Sequence, residues 1–508
     1  MSKKVTKVSL NGSSLSLHEI LSVGRNGGLV EFTTESNILE NIHNTYKVMI
    51  VDVQNGVPIY GCNTGYGAQA SHVVNKGLKK KRVAEAKKIS EGITHIDVAV
   101  GPEFKDEIVR AAMLIRINML MNGVSAVKLD DLNIYRKMLN AHITPVVNMY
   151  GGIGASGDLA HNARVLNAAR RYKGTKVRDK QGNVIEAEKA LKAARIEQLY
   201  LDPKAGLGLV NGDNFSTAVA TFLAADTVRA LVLMHAVAAM VIEVLRGTDR
   251  SFHPMLAYVR PHQGQDETAS IMRDLLQGSK LAYQEMKGHK KRPKGVKVQD
   301  GYSLRGISQY LGVDVEKIKG ILDTIEVNAN AVSDNPLWVL PAFATKGEKP
   351  YQWVSGANFI AMHMVDVMDD LRKIMTHMTK LCDRHVARLV NTHESNGLPP
   401  NLSDKAAITQ CAFKGVQIQS GMFDVYASLL SMPVSTFFGV HEEGNQDITS
   451  HALTSGILGF DNLRITHYAL AQTLLAVCQA VDLRGGARML SEKNKTPIYL
   501  CAFSGTIC

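Results

Sequence analysis

The feature that most constrains the fold is a series of long apolar segments in the second half of the chain. They are rich in Ala, Leu and Met, and proline is nearly absent from their interiors, so helix propensity and apolar pattern agree. Several are apolar on more than one face, as in Ala230–Met234. A helix of this kind must be buried in a large core or against another subunit. The segments lie at about 215–246, 262–286, 356–395, 405–431 and 449–484.

Helices of this length, packed roughly parallel, predict a central bundle. The first half of the chain has a mixed pattern. Val57–Gly61 is typical of a short strand that runs into a glycine-rich loop, and residues 104–123 are typical of a helix. A further helix is expected within 124–150, and the polar stretch from Lys173 to about Gly182 predicts a small hairpin.

Chain length and composition set the broad class. A chain of 508 residues can hold two or three average domains, and 45% hydrophobic with 21% charged residues is ordinary for a soluble globular enzyme. We predict a mainly α fold, with a smaller mixed α/β N-terminal domain over residues 1–210 and a long-helix domain over 211–508. No window approaches about 20 uninterrupted apolar residues, so we expect no membrane span.

The cysteines and the polar N-terminus indicate a cytoplasmic protein. The start, MSKKVTKVSLNGSS, is too polar for the apolar core of a secretory signal. Six cysteines are scattered without CxxC spacing, which disfavours both a zinc site and a disulfide framework. We therefore expect no metal. The cysteines are Cys62, Cys382, Cys411, Cys478, Cys501 and Cys508.

A formal charge of +11 comes in good part from two basic clusters. They are Lys79–Arg82 and Lys290–Arg292, the second extended by Lys294 and Lys297. No helix-turn-helix, zinc-finger or RNA-binding signature lies near them, and both stretches have loop-like composition. We interpret them as solvated surface and expect no nucleic-acid partner. A general attraction for anionic substrates stays open.

The triplet Ala155-Ser156-Gly157 sits in the glycine-rich run of residues 151–160. Such runs usually mark turns that need positive φ. The triplet has a second reading, because Ala-Ser-Gly is compact enough for the Gly157 nitrogen to close onto the Ala155 carbonyl carbon. Loss of water from that ring and from Ser156 would leave an imidazolone with an exocyclic methylene. That group is a carbon electrophile of a kind that no ordinary side chain provides.

The surrounding sequence, Gly-x-Gly-Ala-Ser-Gly-Asp-Leu, closely resembles the signature of the aromatic amino acid ammonia-lyase family. The family includes histidine, phenylalanine and tyrosine ammonia-lyases and related aminomutases. The resemblance implies an ammonia-lyase-type fold and a triplet that matures into 4-methylidene-imidazol-5-one (MIO) without an external cofactor. It also implies a homotetramer whose active sites draw on three subunits. One departure is His161-Asn162, where relatives often have Pro-Leu, and it leaves the packing behind the triplet open.

The loop Tyr60–Gly67 reads Tyr-Gly-Cys-Asn-Thr-Gly-Tyr-Gly and resembles the family loop Tyr-Gly-x-Asn-Thr-Gly-Phe-Gly. By itself, a tyrosine on such a loop would be expected to pack its ring. The resemblance makes Tyr60 the base that removes the β-proton and places Gly67 at the substrate. A tyrosine can serve as a base only if its pKa falls well below about 10, so a nearby positive charge or helix N-terminus is expected.

Two amide side chains are placed beside the triplet by the resemblance. Asn211, in Gly-Leu-Gly-Leu-Val-Asn-Gly, matches the residue that hydrogen-bonds the MIO carbonyl, although an Asn here could instead cap the helix that starts near Phe215. Asp213-Asn214 replaces the usual Thr-Ser, so we expect an altered pocket wall there. Gln446, in Asn-Gln-Asp-Ile, matches the residue that orients the active-site tyrosine and MIO.

Further matches assign the substrate carboxylate and the pocket. Within Gln-Asp-Gly-Tyr-Ser-Leu-Arg, the resemblance makes Tyr302 a second acid/base group and Arg305 the carboxylate clamp, a task suited to a planar guanidinium. In isolation, Arg305 would be a surface ion-pair partner. Asn335 also matches a carboxylate ligand, although Asp-Asn-Pro is otherwise a routine turn. Phe359 matches a pocket residue.

Counting back from the family's Val-Gly-Pro motif places the ring-recognition pair at His95 and Ile96. A His-Leu pair is typical of tyrosine-selective members, because an imidazole can bond a para-hydroxyl. Alternatively, His95 is a structural histidine, and the adjacent Asp97 could favour a cationic or catechol ring. Histidine-type members usually read Asn-Gln-Glu-Asp, whereas Asp447 directly follows Gln446 here.

The resemblance thus implies elimination of ammonia from an L-aromatic amino acid, with tyrosine favoured, to give a trans-arylacrylate such as p-coumarate. The alternatives are a phenylalanine or histidine ammonia-lyase, an MIO-dependent 2,3-aminomutase and, least favoured, a catalytically inactive scaffold. The small-molecule amino acid would be the only partner besides further copies of the chain.

Overall fold

The computed structural model describes residues 6–74, 77–287, 297–403, 411–437 and 439–495. These divide into two compact units, each assembled from separate stretches of sequence. The first unit comprises Met1–Phe222, Leu322–Met368 and Pro433–Ile457; the second comprises Leu223–Ile321, Asp369–Met432 and Leu458–Cys508. The division into domains at residue 210, expected from composition, stays a prediction.

The first half of the chain mixes helices with short strands. Its helices are α1 (Leu17–Asn26), α2 (Ser36–Asn55), α3 (Lys79–Gly92), α4 (Asp106–Leu120), α5 (Leu129–Asn140), α6 (Leu159–Ala169), α7 (Ala187–Ala193) and α8 (Ala205–Val210). Its strands are β1 (Lys7–Leu10), β2 (Leu29–Phe32), β3 (Val100–Glu103), β4 (Thr144–Pro145), β5 (Asn148–Tyr150), β6 (Lys176–Arg178) and β7 (Val184–Glu186).

The second half of the chain is dominated by long helices. They are α9 (Asn214–Val244), α10 (Pro254–Tyr258), α11 (Gln263–Leu276), α12 (Tyr302–Arg305), α13 (Ile307–Ala329), α14 (Met362–Val390), α15 (Lys414–Leu430) and α16 (Ala452–Leu483). Two short strands, β8 (Leu337–Trp338) and β9 (Trp353–Val354), complete the elements. The mainly α fold expected from the apolar pattern is confirmed.

The sheets are small and all belong to the first unit. Strands β1 and β2 pair in parallel, whereas β3 with β5 and β8 with β9 pair antiparallel. Strand β6 lies between β4 and β7, and the antiparallel β6–β7 pair is the predicted hairpin. Sheets this small do not supply a core, so burial must come from the helices.

Helix α4 lies at the centre of the first unit, and every residue from Ile108 to Leu120 is buried. In the second unit, α14 and α16 are joined by side chains. Asn462 Nδ2 donates to the Arg372 carbonyl at 3.1 Å, and the hydroxyl oxygens of Thr379 and Thr466 lie 3.1 Å apart. Long helices that bury most of their surface form the predicted bundle.

Helix α9 is long and apolar enough to cross a membrane by length and composition alone. Within the protein, 72% of its most apolar window is buried, as in the core helix of a folded protein. No other helix among the described residues meets the same criteria. The sequence-based expectation that the chain does not span a membrane stays a prediction.

Three local expectations from the sequence are wrong. Val57–Gly61 is a loop rather than a strand, because the Asn63 side chain bonds its backbone: Ile59 N donates to Asn63 Oδ1 at 2.7 Å, and Asn63 Nδ2 donates to the Val57 carbonyl at 2.8 Å. The basic cluster Lys79–Arg82 starts α3 instead of lying in a loop; residues 290–294 of the other cluster are outside the described ranges. The helix expected at 262–286 ends at Leu276, because Gly278 follows at φ +80°.

Helix α13 was not predicted from the sequence. It carries two glycines and several β-branched residues among its charges, which weakens the apolar pattern. Its burial, including that of Ile325 and Ala329, depends on neighbours distant in sequence.

Candidate active site

Ala155 and Ser156 of the Ala-Ser-Gly triplet line a cavity of about 530 Å³ in the first unit. Loops and helix ends from six parts of the chain build its wall. The predicted residues on its lining are Tyr60, Gly67, Ile96, Ala155, Ser156, Asn211, Phe359 and Gln446. The unpredicted ones include Tyr66, Ile93, Leu159, Leu207, Ile360, Glu442, Asn445, Asp447 and Ile448. The cavity is large enough for a small aromatic molecule.

The triplet lies in the loop between β5 and α6, and two glycines determine its path. Gly154 and Gly157 have φ of +67° and +66°, a region that favours glycine. A Cβ on Gly157 would lie 2.2 Å from the carbonyl carbon of Gly212, and one on Gly154 would lie 2.0 Å from Ser450 Oγ. Gly157 therefore lies in direct contact with the backbone of Gly212, and no larger residue fits at either position.

The loop is anchored on both sides of the triplet. Before it, His451 N donates to the Ile153 carbonyl at 2.9 Å, and Ser450 Oγ donates to the Gly154 carbonyl at 3.1 Å. After it, Asp158 N donates to the Gly212 carbonyl at 2.8 Å. An anchored loop holds its reacting atoms in one geometry, which is what an intramolecular ring closure requires.

The chemistry of the triplet's surroundings fits ring closure. Within the described residues, the Gly157 backbone N–H donates no hydrogen bond, so its nitrogen is not engaged elsewhere. Gln446 Nε2 donates to Ser156 Oγ at 3.2 Å, on the oxygen that would leave as water. Helix α6 starts at Leu159, and its N-terminal amides favour negative charge developing at the triplet.

Asn211 follows α8 and belongs to a buried polar network that the motifs did not predict. Its Nδ2 donates to Asp334 Oδ1 at 3.2 Å, and Lys204 Nζ lies 2.8 Å from Asp334 Oδ2 with both side chains fully buried. Arg116 donates to the Asn211 carbonyl at 2.8 Å. The network orients Asn211 rather than leaving it to cap α9, which starts at Asn214. Arg116 in the apolar run Met-Leu-Ile-Arg-Ile-Asn-Met-Leu was the available signal.

The Tyr60 hydroxyl accepts a hydrogen bond from Gly67 N at 2.9 Å. Burial raises the pKa of Tyr60 above its ordinary value, the Gly67 hydrogen bond lowers it, and the Glu442 charge raises it. The expectation of a lowered pKa is therefore wrong for the single chain. The sequence pattern located the tyrosine, but its environment comes from a segment almost four hundred residues away.

Glu442 is the main unpredicted charged group on the cavity wall. Its carboxylate accepts the Ala68 backbone N–H at 3.0 and 3.2 Å, and Glu442 itself has a φ of +52°. It packs so closely on Gly67 that a Cβ there would lie 2.0 Å from Oε1. The adjacent acidic pair before a glycine, Glu442-Glu443-Gly444, was the only sequence signal.

The two residues of the ring-recognition pair face different ways. The segment Ile93–Ile96 is a single 3-10 turn, in which residues three apart share a face. Ile93 and Ile96 line the cavity, whereas His95 is exposed and does not. The structure thus brings Ile96, but not His95, to the lining.

Asp97 is engaged away from the cavity. Arg164 Nε donates to its two carboxylate oxygens at 2.6 and 2.8 Å, and Asn167 Nδ2 donates to Oδ2 at 3.0 Å. A carboxylate paired in this way is not available to a cationic ring. The idea that Asp97 selects a cationic or catechol substrate is therefore wrong in this structure.

Asn335 lies behind the wall instead of on it. It is buried, and its Oδ1 accepts the Gly356 N–H at 2.9 Å. That bond holds the start of the segment that supplies Ala357, Phe359 and Ile360 to the lining. Asn335 therefore supports the Phe359 segment and does not reach the cavity.

Tyr302 and Arg305 lie together in the second unit. Both line a cavity of about 1180 Å³, and the Arg305 guanidinium carbon lies 4.5 Å from the Tyr302 ring centroid. When the Gln299 side-chain amide is oriented with its oxygen toward Arg305, that oxygen accepts hydrogen bonds from Arg305 Nε and Nη2 at 3.3 and 2.7 Å. The structure brings these two predicted residues to each other, and not to the cavity of the triplet.

The two departures from the family pattern lie behind the triplet. Asp213 N donates to Ser333 Oγ at 3.0 Å, and neither Asp213 nor Asn214 lines the cavity, so the expected change in the pocket wall is wrong. His161 packs against Phe104 and Phe215, and its Nε2 lies 3.1 Å from the Met149 carbonyl. Burial lowers the pKa of His161 to about 4, so this ring is neutral.

Among the described residues, no group of three or more His, Cys, Asp or Glu side chains could hold a metal ion. The cavity of the triplet offers two carboxylates, two tyrosines, the Ser156 hydroxyl and amides as its polar side chains. Such a set can bind an amino acid and move protons.

Comparison with known proteins agrees with this geometry. A family model described as aromatic amino acid lyase matches residues 15–499. The chain is 32% identical to a phenylalanine ammonia-lyase of Nostoc punctiforme over 482 residues, covering 94% of this chain and 82% of that protein. It is 30% identical to a histidine ammonia-lyase of Clostridium tetani over 489 residues, covering 95% and 88%. The solved phenylalanine aminomutase of Pantoea agglomerans superimposes with a TM-score of 0.87 at 26% identity, covering 97% and 93%.

Proposed function

Because this chain belongs to the aromatic amino acid lyase family, we propose that it eliminates ammonia from an L-aromatic amino acid and releases a trans-arylacrylate. The observation that carries the proposal is the Ala155-Ser156-Gly157 triplet on the wall of a cavity that also holds Tyr60 and Gln446. The chain is a carbon–nitrogen lyase of the kind its relatives are named for.

We propose that the triplet matures into MIO. The Gly157 nitrogen bonds to the Ala155 carbonyl carbon, and the carbonyl oxygen leaves as water with the Gly157 and Ser156 amide protons. A second water forms from the Ser156 hydroxyl and its Cα hydrogen, so two waters are lost without an oxidant. The anchored loop and the unengaged Gly157 N–H support this assignment. The group supplies a carbon electrophile that takes up the substrate amine and makes it a better leaving group.

The residues of the cavity then bind the substrate and move its protons. The ionised Tyr60 oxygen removes the β-proton and becomes the neutral hydroxyl, and the Gly67 N–H that donates to it stabilises the ionised form. Asn211, fixed by Asp334, bonds the carbonyl of the matured triplet. The side-chain amide of Gln446 donates to Ser156 Oγ and orients this residue for maturation. Ile96, Leu207 and Phe359 present apolar surface to an aromatic ring.

Tyr302, Arg305 and Asn335 take their roles from the family resemblance, as second acid/base group and carboxylate ligands. Tyr302 and Arg305 line another cavity and Asn335 is not on the lining of the triplet's cavity, so we propose that other copies complete the site, as in a homotetramer. An exposed apolar stripe on α15 supports self-association: Ile418, Met422, Val425 and Leu429 are 71, 56, 63 and 62% exposed at helical spacing. The scattered cysteines favour a cytoplasmic location. We also propose that the protein has no nucleic-acid or membrane partner.

Tyrosine is the favoured substrate in this proposal, to give p-coumarate. That preference rests on His95, which is adjacent in the chain to the lining residue Ile96. Phenylalanine is the next candidate, because the lining around Ile93 and Ile96 is apolar and a relative is named a phenylalanine ammonia-lyase. The second candidate function is a 2,3-aminomutase, since a solved structure with this fold carries that name.

One assay separates these functions. The purified protein is incubated with tyrosine, phenylalanine, histidine and dihydroxyphenylalanine, and arylacrylate absorbance, β-amino acid and free ammonia are followed. Arylacrylate with equimolar ammonia supports the lyase, and a β-amino acid without ammonia supports the aminomutase. An absence of product from all four substrates in the fully matured protein contradicts both and leaves the inactive scaffold.

A further inference from the structure

Two buried asparagines behind the triplet exchange hydrogen bonds through their side-chain amides. Asn162 lies in α6 and Asn214 at the start of α9, and they are 2% and 1% exposed. Asn162 Nδ2 donates to Asn214 Oδ1 at 2.9 Å, and Asn214 Nδ2 donates to Asn162 Oδ1 at 2.8 Å. In a buried pair of this kind, removing one partner leaves the other amide unsatisfied, so both positions are energetically coupled.

The pair is tied to backbone on either side. Asn214 Nδ2 also donates to the carbonyl of Ala112 at 3.0 Å, in the fully buried helix α4. Asn162 Nδ2 lies 3.0 Å from the Val210 carbonyl and 3.1 Å from the Gly212 carbonyl, which flank Asn211. The two amides therefore connect the segment that carries Asn211 to the buried helix α4.

The Gly212 carbonyl links this pair to the triplet. It accepts from Asn162 Nδ2 and also from the backbone N–H of Asp158, at 2.8 Å, directly after the triplet. The Gly212 backbone lies against Gly157, as the 2.2 Å approach of a Cβ at Gly157 shows. A displacement of Gly212 is thereby transmitted to Gly157, because the two backbones are already in contact.

We propose that Asn162 and Asn214 are positioning residues for maturation of the triplet, acting through the Gly212 carbonyl. The inference rests on the proposed function, because it assumes that the Gly157 nitrogen closes on the Ala155 carbonyl carbon. Neither asparagine touches a reacting atom. Their effect is to hold Gly157 where ring closure is fast, since intramolecular reactions depend steeply on the approach of their atoms.

The test compares three variants by intact mass and thermal unfolding. Asn162→Leu removes the donor to Gly212. The double variant Asn162→Leu/Asn214→Ser also removes the stranded amide and so recovers stability. Asn118→Leu is the matched control: Asn118 is fully buried in α4 and bonds Gly12, Ala329 and Asn330, away from the triplet. The measured quantity is the rate at which newly made protein loses two waters.

In Asn162→Leu and in the double variant, we expect ring closure to slow about fivefold, the change that corresponds to one lost hydrogen bond. The kcat per total protein falls with the matured fraction, while KM is unchanged. The double variant unfolds at a higher temperature than Asn162→Leu. Asn118→Leu unfolds at a lower temperature than the wild type yet matures at the wild-type rate.

A double variant that folds and matures at the wild-type rate overturns the positioning role. Equal slowing in Asn118→Leu overturns it as well, because general destabilisation then accounts for the effect. If Asn162→Leu does not fold, the double variant decides alone. A wild-type protein that keeps its full mass overturns the proposed function itself, and this result is distinct from the other two.

Discussion

The side-chain amide of Gln446 lies 3.2 Å from the hydroxyl oxygen of Ser156, a residue 290 positions earlier in the chain. Gln446 closes a turn in which His441 N donates to its carbonyl at 2.9 Å and its own N–H donates to the His441 carbonyl at 3.1 Å. The turn fixes the amide against the central residue of the triplet. This contact joins two predicted parts of the site that lie far apart in the chain.

We expect Ser156→Ala to abolish lyase activity, because no exocyclic methylene can form without the serine hydroxyl. Intact mass will show that the second water is not lost. Gln446→Leu, which removes the donor to Ser156 Oγ, should slow the loss of that oxygen as water about tenfold, within the range of one hydrogen bond to a reacting group, and kcat per total protein should fall with the matured fraction. Full activity in Ser156→Ala would contradict the MIO assignment, and Gln446→Glu serves as the size-matched control.

The pH profile of kcat/KM is expected to rise toward alkaline pH. Tyr60 can remove a proton only when ionised, and burial together with the Glu442 charge raises the pKa of Tyr60. Glu442→Gln removes the negative charge, so the pKa of Tyr60 falls and the alkaline limb moves to lower pH. Glu443→Gln, the same change one residue along, should leave the limb in place. If the alkaline limb of the kcat/KM profile does not move in Glu442→Gln, the ionisation that limits kcat/KM is not that of Tyr60.

Substrate preference is tested at the 3-10 turn. His95 does not line the cavity of the single chain, so the proposed tyrosine preference requires it to reach the substrate hydroxyl in the working enzyme. On that proposal, His95→Phe should lower the ratio of kcat/KM for tyrosine over phenylalanine by about tenfold or more. Ile96→Ala enlarges the cavity and should lower kcat/KM for tyrosine and for phenylalanine by the same factor. An unchanged ratio in His95→Phe would remove this residue from recognition and leave Ile96 as the group that contacts the ring.

Buried Asp131 in α5 makes stability depend on pH. Burial raises the pKa of Asp131 from 3.8 to about 7. The folded state therefore holds a proton that the unfolded state has lost, and stability falls as pH rises from about 4 to about 7. Asp131→Asn should raise the free energy of unfolding at pH 8 by on the order of 1 kcal/mol and flatten this fall. Asp130→Asn, the same charge change at the exposed neighbour, should leave the free energy of unfolding unchanged. Denaturant unfolding at about pH 4 and at pH 8 measures the difference.

The exposed stripe on α15 is expected to bury itself against another copy. Ile418→Asp and Leu429→Asp place charges in that stripe and should shift the mass in solution from a tetramer to smaller species. Activity should fall with the mass, because the proposed site takes Tyr302 and Arg305 from other copies of the chain. Light scattering during size-exclusion chromatography gives the mass, and Gln419→Asp is the control. A wild-type monomer with full activity would contradict the proposed assembly.

Apolar pattern and local motif predicted much of this molecule. Segments such as 449–484 were recognisable as helices because their residues repeat an apolar pattern over many turns, and α16 matches closely. The pattern failed in two places. The apolar residues of helix α13 recur at helical spacing between Ile307 and Ala329, but charged residues and two glycines separate them, and the helix was missed. Val57–Gly61 is held as a loop by the Asn63 side chain.

The sequence by itself determined which residues are proposed to carry the chemistry: Ala155-Ser156-Gly157, Tyr60, Asn211 and Gln446 each stand in a short motif, and all except Gly157 line one cavity. Only the tertiary structure decided how they are set. It turned Ile96 and not His95 to the lining, placed Glu442 beside Tyr60, and paired Asn162 with Asn214. The reason is physical: a motif specifies local backbone and side-chain type, whereas pKa and orientation depend on groups that approach from elsewhere in the chain.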